Sequence, residues 1–243
     1  MARLLLLLPA TTATLALTAC SPHGTHVSPP VQAAPVATVC SGVPTCTRVA
    51  KVDVDGDGRP DQVGITSSKP EDGGSITVRV RTANGLTTQT TGRKVRWFGK
   101  SFFGAAPLDG EDGAELFVGD TMGAHYEQFR VITFRNGKLV TLNAPPLVWS
   151  KTGAHAFTPR WGVDGSWAFN TGVTRRESAK QGVTVTMKSL ERRESGRGHT
   201  GHATTYRWQQ GQWVHVSSRT LRTTDKAAYA AGGWHVQGLR RFV

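Results

Sequence analysis

After its first 40 residues the chain is dominated by alternating apolar and polar positions. Val49-Ala50-Lys51-Val52 and Gln62-Val63-Gly64-Ile65 alternate and are rich in β-branched residues, which is the pattern of a strand with one buried face. Three further phrases keep that period and then stop at a turn: Ile76 to Arg81 before Asn84-Gly85, Phe129 to Phe134 before Asn136-Gly137, and Thr204 to Trp208 before Gln210-Gly211. Asn-Gly between alternating apolar residues is a strong turn signal and marks a hairpin-like phrase. Helix is expected only in short pieces, near Asp225 to Ala231. The predicted fold class is all-β, built from antiparallel sheets.

The N-terminus departs from this pattern. Met1-Ala2-Arg3 carries one positive charge, Leu4 to Leu17 is an apolar run too short to span a bilayer, and Leu17-Thr18-Ala19-Cys20 closes it with small residues. Residues 1–19 therefore read as a signal peptide. The Leu-Thr-Ala-Cys tetrad resembles the bacterial lipobox. That resemblance implies cleavage before Cys20, a diacylglycerol on its thiol, and a protein anchored to the cell membrane on the extracytoplasmic side, where two or more acyl chains give stable attachment. Ser21 to Val39 holds four Pro and no Asp, Glu, Lys or Arg, so residues 20–39 form a lipidated cysteine and a solvated tether. His23 and His26 on that arm read as polar linker residues. With Cys20 assigned to lipid, Cys40 and Cys46 remain as a pair, and a disulfide follows in an oxidising compartment. It pins the start of a domain spanning 40–243.

Candidate chemistry is concentrated in Asp53-Val54-Asp55-Gly56-Asp57-Gly58-Arg59-Pro60-Asp61. Carboxylates stand at positions 1, 3, 5 and 9 of a tight loop, and position 7, Arg59, has a backbone carbonyl to offer. Ca²⁺ takes six to eight oxygens, and the odd-numbered groups of such a turn converge on its concave side. Four carboxylates this close would repel one another without a cation. An EF-hand would place a bidentate Glu at position 12, where this chain has Gly64, and the flanks are strands. The arrangement resembles the calcium loops of FG-GAP/VCBS repeats, known from integrin-type propeller blades. The resemblance implies that Asp53, Asp55, Asp57, Arg59 (carbonyl) and Asp61 hold one structural Ca²⁺.

A damaged second copy runs from Ala105 to Val118, with Asp109, Glu111, Asp112 and Glu115 in a loop two residues shorter, and a faint third surrounds Asp164. Recurrence near every 55 residues suits blade-like units at about 47–100, 101–150 and 155–220. Three units are too few for a closed propeller. The segment Ser178 to His202 reads as an insertion in the third unit. Within it, Gly196-Arg197-Gly198-His199-Thr200-Gly201 follows a charged run and reads as a mobile loop carrying His199 and His202, not as a dinucleotide site.

Charge divides the chain. Residues 170–243 hold 13 Lys/Arg against 4 Asp/Glu, a net of +9, whereas residues 21–169 hold 15 against 13, a net of +2. On an outward-facing anchored protein the acidic partners at hand are lipid headgroups or anionic envelope polymers, and nucleic acid is not expected there. The seven Trp stand mostly beside strand-like residues and suit core packing, with Trp161 and Trp167 as an alternative stacking platform for sugar. No nucleophile elbow, HExxH or Ser-x-x-Lys phrase occurs, and carboxylates committed to Ca²⁺ are poor general bases. The expected function is a calcium-stabilised binding or scaffold module of the cell envelope, not an enzyme. The alternative is a secreted hydrolase of envelope or carbohydrate polymers.

Overall fold

A computed structural model describes residues 37–68, 74–93, 95–149, 153–155 and 160–241. The signal peptide, Cys20 and most of the tether lie outside them. Strands β1 (Thr47–Val52), β2 (Asp61–Ser68), β3 (Ser75–Arg81) and β4 (Thr87–Arg93) form a four-stranded antiparallel meander in sequence order. In β3 the alternation is strict: Ile76, Val78 and Val80 are buried, and the residues between them are half-exposed.

A second meander follows in the same order, made of β5 (Phe102–Ala106), β6 (Glu115–Met122), β7 (Tyr126–Arg135) and β8 (Lys138–Leu142). After the short pair β9 (Leu147–Trp149) and β10 (Gly153–His155), a third contains β11 (Trp161–Gly165), β12 (Phe169–Ser178), β13 (Gly182–Arg192), β14 (His199–Gln209) and β15 (Gln212–Thr223). The second and third meanders are one sheet. On the edge away from β6, β7 pairs with β11 through Tyr126 to Phe129 and with β8 through Val131 to Arg135. The single helix among the described residues, α1 (Asp225–Ala231), starts at an N-cap Thr224 whose hydroxyl accepts the Ala227 N–H. Beyond it, β16 (Gly233–His235) runs parallel to β12, and β17 (Arg240–Arg241) pairs with β5. The fold is therefore all-β, with antiparallel sheets that do not close into a propeller.

Two cores meet at β6. Leu116 and Val118 face Val63, Ile76, Val78 and Val80 of the first sheet, while Phe117 faces Phe129, Trp161, Val173, Val185 and Met187. A strand buried on both faces needs apolar residues at consecutive positions, which is why Leu116-Phe117-Val118 is unbroken.

Three sequence expectations change here. The presumed insertion at Ser178 to His202 is β13 with its turns, paired along its length to β12 and β14. His199 is fully buried at the start of β14 instead of riding on a mobile loop, because its ring packs under α1 beside Asp225 and Tyr229. Trp161 is fully buried in the core and Trp167 is exposed, so the two form no joint platform.

Candidate metal centre

The loop after β1 is shaped by its own carboxylates. Asp53 accepts the Gly56 N–H at 2.8 Å on Oδ1 and the Gly58 N–H at 2.9 Å on Oδ2, and both glycines sit at positive φ, 79° and 80°. Asp61, at the first position of β2, is fully buried. Its Oδ2 accepts the Val54 and Asp55 N–H groups at 2.8 and 3.2 Å, and its Oδ1 accepts the Ala83 N–H at 2.8 Å from the β3–β4 turn. This folding gathers three of the five predicted groups: Asp53, Asp55 and Asp61 each present a carboxylate oxygen within 4.8 Å of the others. Asp57 is directed elsewhere. Its Oδ2 accepts the Arg59 guanidinium at 2.8 Å and the Asn84 amide at 3.1 Å, and its Oδ1 accepts the Arg59 N–H at 2.8 Å.

The electrostatics separate the two kinds of carboxylate. Burial first, and the Asp61 charge second, push the Asp55 carboxyl above its ordinary range. The Arg59 side chain holds Asp57 below it. Three converging acidic oxygens, one of them on a carboxyl whose ionisation the others oppose, suit a hard divalent cation bound through oxygen.

The second loop, between β5 and β6, repeats the framework with a different source of positive charge. Glu115 opens β6 as Asp61 opens β2, and its Oε2 accepts the Leu108 N–H at 2.6 Å as Asp61 accepts that of Val54. Its Oε1 accepts the Thr133 hydroxyl at 3.0 Å. Asp109 is buried with it, and Arg135 from the end of β7 reaches Asp109 at 2.5 Å and Glu115 at 3.7 Å. Burial, then the Asp109 charge, pushes the Glu115 carboxyl up to about 8. The two loops touch: the Ala114 N–H donates to the Asp53 carbonyl at 2.9 Å, and a Cβ at Gly56 would collide with Asp112. The third echo retains one carboxylate as a turn cap, with Asp164 accepting the Ser166 N–H at 2.8 Å and facing His125 at 3.0 Å.

Cys40 and Cys46 are disulfide-bonded. The bridge lies against Gly64, where any Cβ would strike the Cys46 sulfur, so loop position 12 is small for packing. The features that sequence reasoning missed, Asn84, the Ala83 N–H and Arg135, all come from hairpin ends 20 to 27 residues beyond the acids they meet, and no local spacing signals them. No family model, curated protein or solved structure matches the chain.

Proposed function

We propose that this chain is an extracytoplasmic lipoprotein, anchored through Cys20, whose β-repeat domain is stabilised by one Ca²⁺ in an FG-GAP/VCBS-type loop and serves as a binding or scaffold module at the cell envelope. The observation that carries the calcium assignment is the convergence of Asp53, Asp55 and Asp61, with carboxylate oxygens all within 4.8 Å. The second loop supports it by contrast. There the chain inserts the Arg135 guanidinium between two buried acids, whereas the first loop's own guanidinium, Arg59, pairs with Asp57. The Arg59 carbonyl and water complete the oxygen set, and the ion's effect is on stability.

Calorimetric titration of the purified full chain tests this reading. One Ca²⁺ per chain is expected, at the roughly 10⁻⁴–10⁻³ M dissociation constant common for extracellular modules, with no heat of binding in Asp55→Asn. Incorporation of labelled fatty acid, lost in Cys20→Ser, checks the anchor. An absence of calcium heat in the wild type sinks the metal site, and an unlabelled wild type sinks the anchor.

A further inference from the structure

We propose that the outward face of β12–β15 binds a linear phosphodiester polymer, laid across the strands along a row of hydroxyls that cations flank on both sides. The proposal rests on the reading of this chain as an envelope binding module and names the chemistry of its partner. The register builds the face. Thr174 lies opposite Thr186, Thr186 opposite Thr205, and Thr205 opposite Ser217, so four hydroxyls cross four strands in one row. The Thr186 and Thr205 hydroxyls are 2.9 Å apart. Two residues to one side stand Arg176 on β12 and Arg207 on β14. Two residues to the other stand Lys188 on β13 and Arg219 on β15, both opposite Ala203. Strands lie about 4.8 Å apart, so each flanking pair is roughly 10 Å across.

These side chains share a parity and the core residues have the other. Val173, Val185, Met187 and Tyr206 turn inward, and α1 covers only one end of the outer face, where an added Cβ at Gly172 would meet the Ala231 carbonyl. The acids of these strands, Glu177 and Glu191, are of the inward parity, and among the described residues no carboxylate pairs with Arg176, Lys188, Arg207 or Arg219. The Arg207 Nε is buried without a hydrogen-bond partner. Crowding is independently visible at Lys188, whose ammonium is pushed down by burial and then by the charges of Arg176 and Arg219.

Four cations and the Thr186, Thr205 and Ser217 hydroxyls, with no acid between them and the Thr174 hydroxyl buried beside them, are complementary to a chain of phosphates, each with charge and acceptor oxygens. A bilayer is a poorer match, since faces that enter one carry Trp, Phe or Leu, and among the described residues the exposed large apolar side chains at this face are two valines, Val214 and, at the β15 bulge, Val216.

The test uses the full chain in calcium, with poly(glycerol phosphate) as the probe, glycerol phosphate as the monomer, and vesicles of phosphatidylglycerol compared with phosphatidylcholine, to which the lipid anchor partitions equally. The polymer should bind in a salt-sensitive manner and far more tightly than the monomer. Lys188→Gln/Arg219→Gln should weaken it by about tenfold or more. The charge-matched control Lys138→Gln/Arg222→Gln, at the start of β8 and on the inward parity of β15, should stay within about twofold, because neither side chain stands on the outward face. Equal loss in the control, a preference for phosphatidylglycerol vesicles without polymer binding, or no binding to either overturns the proposal. A calcium-dependent melting shift measured on the same samples separates the failures: if it persists, only the polymer site is lost, and if it is absent, the functional reading falls with it.

Discussion

Asp55 and Glu115 belong to turns of the same design, yet their charges are handled in opposite ways. Among the described residues no cation forms an ion pair with Asp55, so removing its charge should help the metal-free protein and harm the loaded one. Asp55→Asn is expected to raise the melting temperature in chelator and to abolish any rise on adding calcium, as differential scanning calorimetry would reveal. Glu115 instead keeps its proton, with a carboxyl pushed up to about 8. Between the ordinary carboxylate range and that value the native state holds a proton that the unfolded chain releases. Its contribution to stability is therefore complete in acid and falls as pH rises to about 8, by up to about 1.4 kcal/mol per pH unit for one proton. Denaturant unfolding from pH 5 to 8 should show that slope, and Glu115→Gln should remove it; an unchanged slope would mean that the Glu115 carboxyl is ionised in the fold. At Gly56, positive φ and contact with Asp112 coincide. Gly56→Ala should cost about 1–3 kcal/mol of stability and weaken calcium binding.

Among the elements, those set by local chemistry were legible. Asn136 and Gly137 have φ of 51° and 78°, the type I′ geometry that Asn-Gly implies, and Gln210-Gly211 adopts the same turn at 49° and 81°. Gln tolerates that region less well than Asn, so Gln210→Asn should stabilise by roughly 0.5 kcal/mol in equilibrium unfolding; a destabilised variant would show that the Gln210 side chain has another role. The alternating strands of the first sheet and the short helix were equally readable. β13 was not, because Lys188 and Arg192, with Arg193 and Glu194 just beyond its end, make its far half resemble a charged loop, whereas its outward parity faces solvent and its inward parity fills the core. The pairing of β7 with β11 depends on which edge of β7 remains free after β8 ends, which no local pattern encodes. Of the loop acids, spacing identified Asp53, Asp55 and Asp61 as a group. It equally suggested Asp57, which is drawn away by Arg59 and by Asn84 from a different hairpin.

At the scale of the whole molecule, the acidic loop between β1 and β2 is the seam between two sheets. It joins β1 to β2, accepts the Ala83 N–H from the β3–β4 turn on Asp61, and accepts the Ala114 N–H, just before β6, on the Asp53 carbonyl. The proposed cation would stiffen the contact between the first sheet and the larger one, so its loss should be felt as global stability instead of local fraying. Binding to the native state alone contributes about 2.7 kcal/mol at free calcium 100 times the dissociation constant, which for a domain of this size corresponds to a rise of about 5–10 °C in melting temperature. The decisive measurement is the thermal unfolding of the wild type, Asp55→Asn and Asp109→Asn in saturating calcium and in chelator. The calcium-dependent rise should appear in the wild type, vanish in Asp55→Asn, and persist in Asp109→Asn from a lowered baseline, because Asp109 answers to Arg135 and not to the ion. Superimposable wild-type curves in calcium and chelator, or a shift abolished by Asp109→Asn but not by Asp55→Asn, would contradict the assignment.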